Sequence, residues 1–449
     1  MAIYQYVRKK ELETMYQFDR NEYNKRMAWY VHDRFGMFIH FGLYSLIGRG
    51  CLVQETERFT DEEYMPYANE FNPKPNCPRG WVRLAKKAGM NYVVLTTKHH
   101  EGYCLFDSQY TNYKITNSPY GRDLIREYVD SCREEGLKVG FYFSLLDWHH
   151  DDYPHYGNSR HPQGPDPAYG NDDRNFDRYL LYMHNQVREL CTNYGKIDIM
   201  WFDFSYDNMT GETWRATELV NMVRELQPGI IIDNRLEAAG AGLGSLATGN
   251  PTPYHGDFVS PEQMIPPEGI KDVNGEDMLW ESCITINNHW SYTRGDRFFK
   301  PTSMLIKKLV EIVSKGGNLL LDVGPDANGV IPGESVQVLE EIGKWMEKNG
   351  ESIIGCTKSG LPKPDWGRIT RKGKNLYLHV YENTVGPLPL QGVTKEDIES
   401  IRELATGSEV KLSDSWVKSD YDESFAFIDM GEDPVLLDPV DTVLKVTLK

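Results

Sequence analysis

Eight short apolar runs punctuate the chain up to residue 324: GMFIHFG (36–42), YVVLTTK (92–98), VGFYFSLL (139–146), IDIMWFD (197–203), GIIIDNR (229–235), HGDFVS (255–260), MLWESCITI (278–286) and NLLLDVG (318–324). The sixth is the weakest. Continuous apolar runs of this length are what strands buried on both faces need, and such strands belong to parallel sheets. Helical patterns lie between most of them: GWVRLAKKAG before the second, DLIREYVDSCREEGLK before the third, RYLLYMHNQVRELCTNYGK before the fourth, WRATELVNMVRELQPG before the fifth, MLIKKLVEIVSKGG before the eighth and VQVLEEIGKWMEKNGES after it. Gly136 is expected to close its helix in the left-handed conformation. Eight alternations of strand and helix predict an α/β fold, a (β/α)8-like barrel over residues 1–352. A doubly wound open sheet is the alternative, but no glycine-rich dinucleotide loop accompanies it.

Beyond residue 352 the period changes. GRITRKGKNLYLHVYE, IESIRELATGSEVKL, SFAFIDM and DTVLKVTLK read as short strands and turns without a helix, which predicts a C-terminal β-sandwich domain over 353–449. The first 30 residues read as helical and are expected to cover the bottom of the barrel. The polar, Gly- and Pro-rich stretch 150–175 follows the third strand and is expected on the catalytic face.

Composition narrows the function. A net charge of −17 repels phosphate backbones and anionic lipid, so neither nucleic acid nor a membrane surface is expected as a partner. No run of 18 or more apolar residues exists, so no membrane-spanning helix is expected. The seven cysteines are scattered without a CxxC pair, which argues against a disulfide framework and a structural zinc. MAIYQYVRKKELETMYQ lacks an apolar signal core, so a cytoplasmic protein is expected, or a periplasmic or secreted one if a leader has been removed. Ten Trp and 27 Tyr supply faces that could stack on sugar rings, although core packing is their commoner use.

In a barrel of this kind the active site lies at the C-terminal ends of the strands. Polar residues gather there: His40, Lys98 to Glu101, Asp147 to His149, Asp203, Asn234–Arg235, Asp257, Glu262, Asn287 to Trp290 and Asp322. No comparable set is expected at the bottom. Alternation along a strand puts Trp201 and Asp203 on one face, a carboxylate beside an indole. Glycoside hydrolysis needs two carboxylates, one to attack the anomeric carbon and one to protonate the leaving oxygen. Asp203 is the first candidate; Asp147, Glu237, Glu262, Glu281 and Asp322 are candidates for the second. His99 and His100 on a strand would face opposite sides, a poor metal pair. HExxH, GxSxG and Walker A motifs are absent, so neither a metal nor another cofactor is expected.

The motifs FGMFIHFGLYS, YVVLTTKHHEGYCLFDSQYTNY, GRDLIREYVDSCREEGLKVGFYFSLLDW, IMWFDF and VSKGGNLLLDVGPDANGVIP resemble those of glycoside hydrolase family 29, the α-L-fucosidases, and WGRITRKGKNLYLHVYE extends the likeness into the C-terminal domain. The resemblance implies metal-free hydrolysis of α-L-fucosides with retention, through a covalent glycosyl-enzyme, on a fucosylated oligosaccharide or glycoconjugate. Homo-oligomerisation is compatible with it. It implies Asp203 as nucleophile and, through GDFVSPEQ, Glu262 as acid/base. His40, His99 and His100 match positions that bind sugar hydroxyls. Trp201 and Arg235 match positions lining the pocket, Trp290 an aromatic near the sugar methyl. Tyr142 matches more weakly, as Tyr-Phe-Ser stands here in place of the family's usual Tyr-Tyr-Ser. One departure stands out: Cys51–Leu52 occupies the place of a Glu-Trp whose Glu reads the axial hydroxyl, and Glu55 or Glu57 is the candidate substitute. The competing readings are a relative acting on L-galactose, a sugar-binding protein without turnover and a metal-dependent barrel hydrolase.

Overall fold

A computed structural model describes residues 17–238, 242–414, 420–421, 423–431 and 436–449. Seven parallel strands carry the first part of the chain: β1 Phe35–Ile39, β2 Tyr92–Lys98, β3 Lys138–Ser144, β4 Ile199–Asp203, β5 Ile231–Ile232, β6 Glu281–Thr285 and β7 Asn318–Val323. Their order is β5-β4-β3-β2-β1-β7-β6, so the sheet curls with β5 and β6 at its two edges. The expected eighth strand is where sequence and structure differ. Residues 257–262 do not form a regular strand. They span the gap by single parallel bridges, Asp233 to Phe258, Val259 to Trp280 and Glu262 to Cys283. Backbone bonds from Asp257 N to Ile232 O and from Glu281 N to Val259 O close the ring. Pro261 has no N–H to donate, which breaks a regular ladder at that point.

Helices pack outside the strands. Leu124–Glu135 illustrates why they form where the periodicity predicts. The Asp123 side chain caps its first turn by accepting from Arg126 N, and Gly136 ends it at φ 69°, a left-handed conformation that costs glycine little. The helix expected over the first 30 residues is described from Arg20 to Asp33. Residues 1–16 lie outside the described residues.

The barrel interior is filled by layers of side chains. At the bottom the Tyr92 ring lies so close to β1 that a Cβ on Gly36 would come within 2.3 Å of it, hence the glycine. Above it stand Phe38, Tyr142 and Trp201, the last two aligned by the β3–β4 register and stacked with centroids 5.7 Å apart. His40, His99, Asp203 and Arg235 form the top.

Among the described residues two antiparallel sheets follow. One has five strands (357–358, 367–372, 375–380, 398–403 and 442–448), the other three (388–391, 411–412 and 425–429). Leu376, Leu378 and Val380 alternate into a second core with Leu388, Ile428 and Val446. Tyr377, on the opposite face of the same strand, packs into the barrel's core.

Asp257 corrects the sequence reading twice. It belongs to the bottom of the barrel and not the rim, and the bottom has a charged set of its own. The fully buried Asp257 carboxylate lies 2.6 Å from Arg26 and 3.3 Å from Arg224, and accepts from Ile232 N at 2.9 Å. It thereby ties the N-terminal helix to the irregular closure. Removing one partner of a buried charge cluster costs about 3–5 kcal/mol. Asp257→Ala is therefore expected to lower the unfolding free energy by that much, read by denaturant titration; unchanged stability would contradict this role.

Candidate active site

Asp203 ends β4 with both carboxylate oxygens engaged: Tyr142 donates its hydroxyl to Oδ2 at 2.7 Å and Arg235 Nη1 donates to Oδ1 at 2.9 Å. Burial and the Asp203 charge push the Tyr142 phenol well above its usual range, so it serves as a donor. Arg235 follows the two-residue strand β5. It is held by the Ser260 hydroxyl at 3.1 Å and the Ser260 carbonyl at 3.2 Å, and its guanidinium lies 4.5 Å from the Trp201 ring centroid. The same Nη1 stands 2.9 Å from Oε2 of Glu262. Two oxygens each at that distance from one nitrogen lie less than about 6 Å from each other, a bound that admits the roughly 5–5.5 Å carboxyl spacing of retaining glycosidases and excludes the wider spacing of inverting ones.

The other candidate carboxylates are committed elsewhere. Asp147 forms a wholly buried pair with Lys98 at 2.9 Å and accepts from His149 N and His150 N. Glu237 accepts from Ser245 N and Gly256 N and braces the loop after β5. Asp322 pairs with His40. Glu281 starts β6, low in the barrel, where Tyr92 donates to it at 2.5 Å. Glu262 alone of the five lines the cavity that holds Asp203.

Three imidazoles line the same cavity, and burial drives the basicity of each well below its usual value, so all three are neutral. His40 Nδ1 is engaged by Asp322 at 2.6 Å, leaving Nε2 for the pocket. The Ser144 hydroxyl gives its one proton to Leu146 O, so it accepts from His100 Nδ1, and His100 Nε2 is an acceptor. His99 Nδ1 is buried without a partner. The expectation that His99 and His100 face opposite sides is corrected: β2 ends at Lys98, the strand alternation stops there, and the two rings lie 3.9 Å apart. Trp290, from the loop after β6, stands beside His40 with ring centroids 5.4 Å apart. The nine residues that the motif resemblance matched to site positions, Asp203, Glu262, His40, His99, His100, Tyr142, Trp201, Arg235 and Trp290, all line this one cavity. Among the described residues no three His, Cys, Asp or Glu side chains converge as a metal ligand set would.

A family model described as "Alpha-L-fucosidase" matches residues 3–351. The chain belongs to the α-L-fucosidase family. The α-L-fucosidase of Dictyostelium discoideum is 28% identical over 82% of this chain and 79% of its own length. The solved α-L-fucosidase isoenzyme 1 of Paenibacillus thiaminolyticus is 50% identical, covers 95% of this chain and 100% of that one, and superposes with a TM-score of 0.91. An α-L-fucosidase of Bacteroides thetaiotaomicron, solved as a trapped covalent intermediate with 2-fluoro-fucosyl fluoride, is 27% identical over 96% of this chain and 97% of that one, with a TM-score of 0.80.

Cys51 and Leu52, singled out in the sequence, both line the cavity. Neither candidate substitute enters it. Glu55 borders a separate groove with Arg58 and His161, and Glu57 pairs with Arg49 at the surface, 2.7 Å away. The sequence reading missed Phe38, Phe204 and Cys283 as lining residues. Phe38 was within reach, since it sits two positions before His40 on one strand. Phe204 was not: it enters the cavity wall only because its φ is 77°, an outlier for an aromatic residue and a kind of strain that gathers at active sites.

Glu281 under the Trp201 floor carries a pH signature. Burial raises it from 4.5 to about 7. Between those values the fold holds a proton that the unfolded chain has released, so this group's contribution to stability falls as pH rises through that window. Glu281→Gln mimics the protonated form. It is expected to leave stability nearly unchanged at pH 4.5 and to raise it by about 3 kcal/mol at pH 8. Denaturation at the two pH values checks this; an equal effect at both would contradict it.

Proposed function

We propose that the chain is a retaining α-L-fucosidase that releases terminal L-fucose from a fucosylated oligosaccharide or glycoconjugate. The observation that carries the reading is the pair of carboxylates, Asp203 and Glu262, meeting at one nitrogen of Arg235 in a single cavity. Asp203, oriented by Tyr142 and Arg235, attacks the anomeric carbon from the face opposite the leaving group. Glu262 gives its proton to the departing oxygen and then takes one from the water that hydrolyses the glycosyl-enzyme. Its partial exposure gives that water access. The neutral imidazoles of His40 and His100 can accept from sugar hydroxyls through Nε2, and His99 adds a third ring, without adding charge to the site. Trp290 and Phe38 offer an apolar wall for the C6 methyl. The extra hydroxyl of L-galactose would meet that wall unsatisfied, which favours the 6-deoxy sugar.

Cys51 and Leu52 bear on discrimination and not on the chemistry. Burial raises the Cys51 thiol, so it carries no charge, and the pocket lacks the charge-assisted hydrogen bond a carboxylate would supply, worth about 1.5–3 kcal/mol.

Hydrolysis of 4-nitrophenyl α-L-fucoside by the wild type and by Asp203→Ala tests the reading. The variant should lose turnover and regain it with azide, yielding the β-L-fucosyl azide because azide attacks from the vacated side. Full activity in the variant, or rescue to the α-azide, would refute Asp203 as nucleophile.

A further inference from the structure

Among the described residues, seven other than glycine have positive φ, and two of them, Phe204 and Gln263, directly follow the two pocket carboxylates. Gln263 has φ 52°, in the left-handed region, where a side chain is tolerated only if its surroundings hold it. What holds it is the upper end of β6. Its backbone N–H donates to Cys283 O at 2.9 Å, its side-chain Nε2 donates to the Thr285 hydroxyl at 2.9 Å, and its Oε1 accepts from Thr285 N at 3.4 Å.

Thr285 is itself locked. It is 1% exposed, and its hydroxyl proton goes to Asn287 O at 2.6 Å. Lys300 Nζ donates to Thr285 O and Asn287 O, both at 2.7 Å, and to the Thr285 hydroxyl at 3.2 Å, which uses all three of its protons. One hub at the end of β6 thus fixes both the turn that follows Glu262 and the start of the loop that carries Trp290. Glu262 stands on an irregular closure with no regular ladder, so its backbone depends on such side-chain anchors.

We propose that Gln263 is a positioning residue for Glu262: clamped to Thr285 in a left-handed turn, it sets where the Glu262 carboxylate stands relative to the leaving oxygen. This rests on the reading of Glu262 as acid/base. Gln263→Gly keeps the turn accessible and removes the clamp. Thr285→Val removes the acceptor, and Thr285→Ser restores it.

The readout is kcat/KM on two substrates. 2-Chloro-4-nitrophenyl α-L-fucoside has a leaving group that departs without a proton; that of methyl α-L-fucoside needs one. Misplacing a general acid costs up to about 100-fold in the step it serves. Gln263→Gly and Thr285→Val should therefore lose about 10- to 100-fold on the methyl fucoside and less than about threefold on the activated one, with Thr285→Ser near wild type on both. Glu262→Ala should show the same selectivity more strongly. Equal losses on both substrates in the Gln263 and Thr285 variants, or none, overturn the proposal while Glu262→Ala stays selective. Equal losses in Glu262→Ala overturn the acid/base reading, and the proposal with it.

Discussion

Arg235 places one nitrogen 2.9 Å from an oxygen of Asp203 and 2.9 Å from an oxygen of Glu262. Whenever both are ionised, two carboxylates less than about 6 Å apart repel by about 3 kcal/mol or more at an effective dielectric near 20. In a cavity walled by Phe38, Trp201 and Trp290 the guanidinium is the cation that offsets this repulsion. Its own position is in turn prescribed from four sides: Asp203, Glu262, Ser260 and the Trp201 face. The two chemical groups are thus placed relative to each other through a third, and the rest of the pocket can stay neutral. Burial takes the three histidines in that direction, and the Tyr142 phenol keeps its proton.

The barrel contributes an asymmetry. Six strands pair with a neighbour over four or more residues, β5 pairs over only two, and Glu262 sits on a stretch that bridges its neighbours by single contacts. The proposed nucleophile is therefore carried by the laddered part of the sheet and the second carboxylate by the irregular part. That division suits a group that must meet a leaving oxygen and then a water. It also explains why the closure needs a buried charge cluster at its lower end and a clamped glutamine at its upper end.

Much of this was legible in the sequence because strand alternation is a strict constraint. The run ending at Asp203 put Trp201 and Asp203 on one face, and parallel strands read as continuous apolar runs. The sixth run was not read correctly. Pro261 and the hydrogen bonds of Asp257 make HGDFVS a bridge and not a strand, and no periodicity signals that a carboxylate will turn downward to Arg26. The second carboxylate could not be chosen on position, since Asp147, Glu237, Glu281 and Asp322 differ from Glu262 only in the partners they meet in space. Motif resemblance chose it, and the geometry supports that choice by showing the other four occupied. Phe204 and the paired imidazoles escaped because both depend on backbone that leaves the strand pattern.

The central claim, that Asp203 is the residue that bonds to the sugar, is tested most directly by trapping the glycosyl-enzyme. The protein would be treated with 2-fluoro-fucosyl fluoride, digested with pepsin and sequenced by mass spectrometry. The account predicts one added fluorofucosyl group, on the Asp203 side chain of the IMWFDF peptide. A label on any other carboxylate, or steady turnover of the reagent without any covalent adduct, would contradict it.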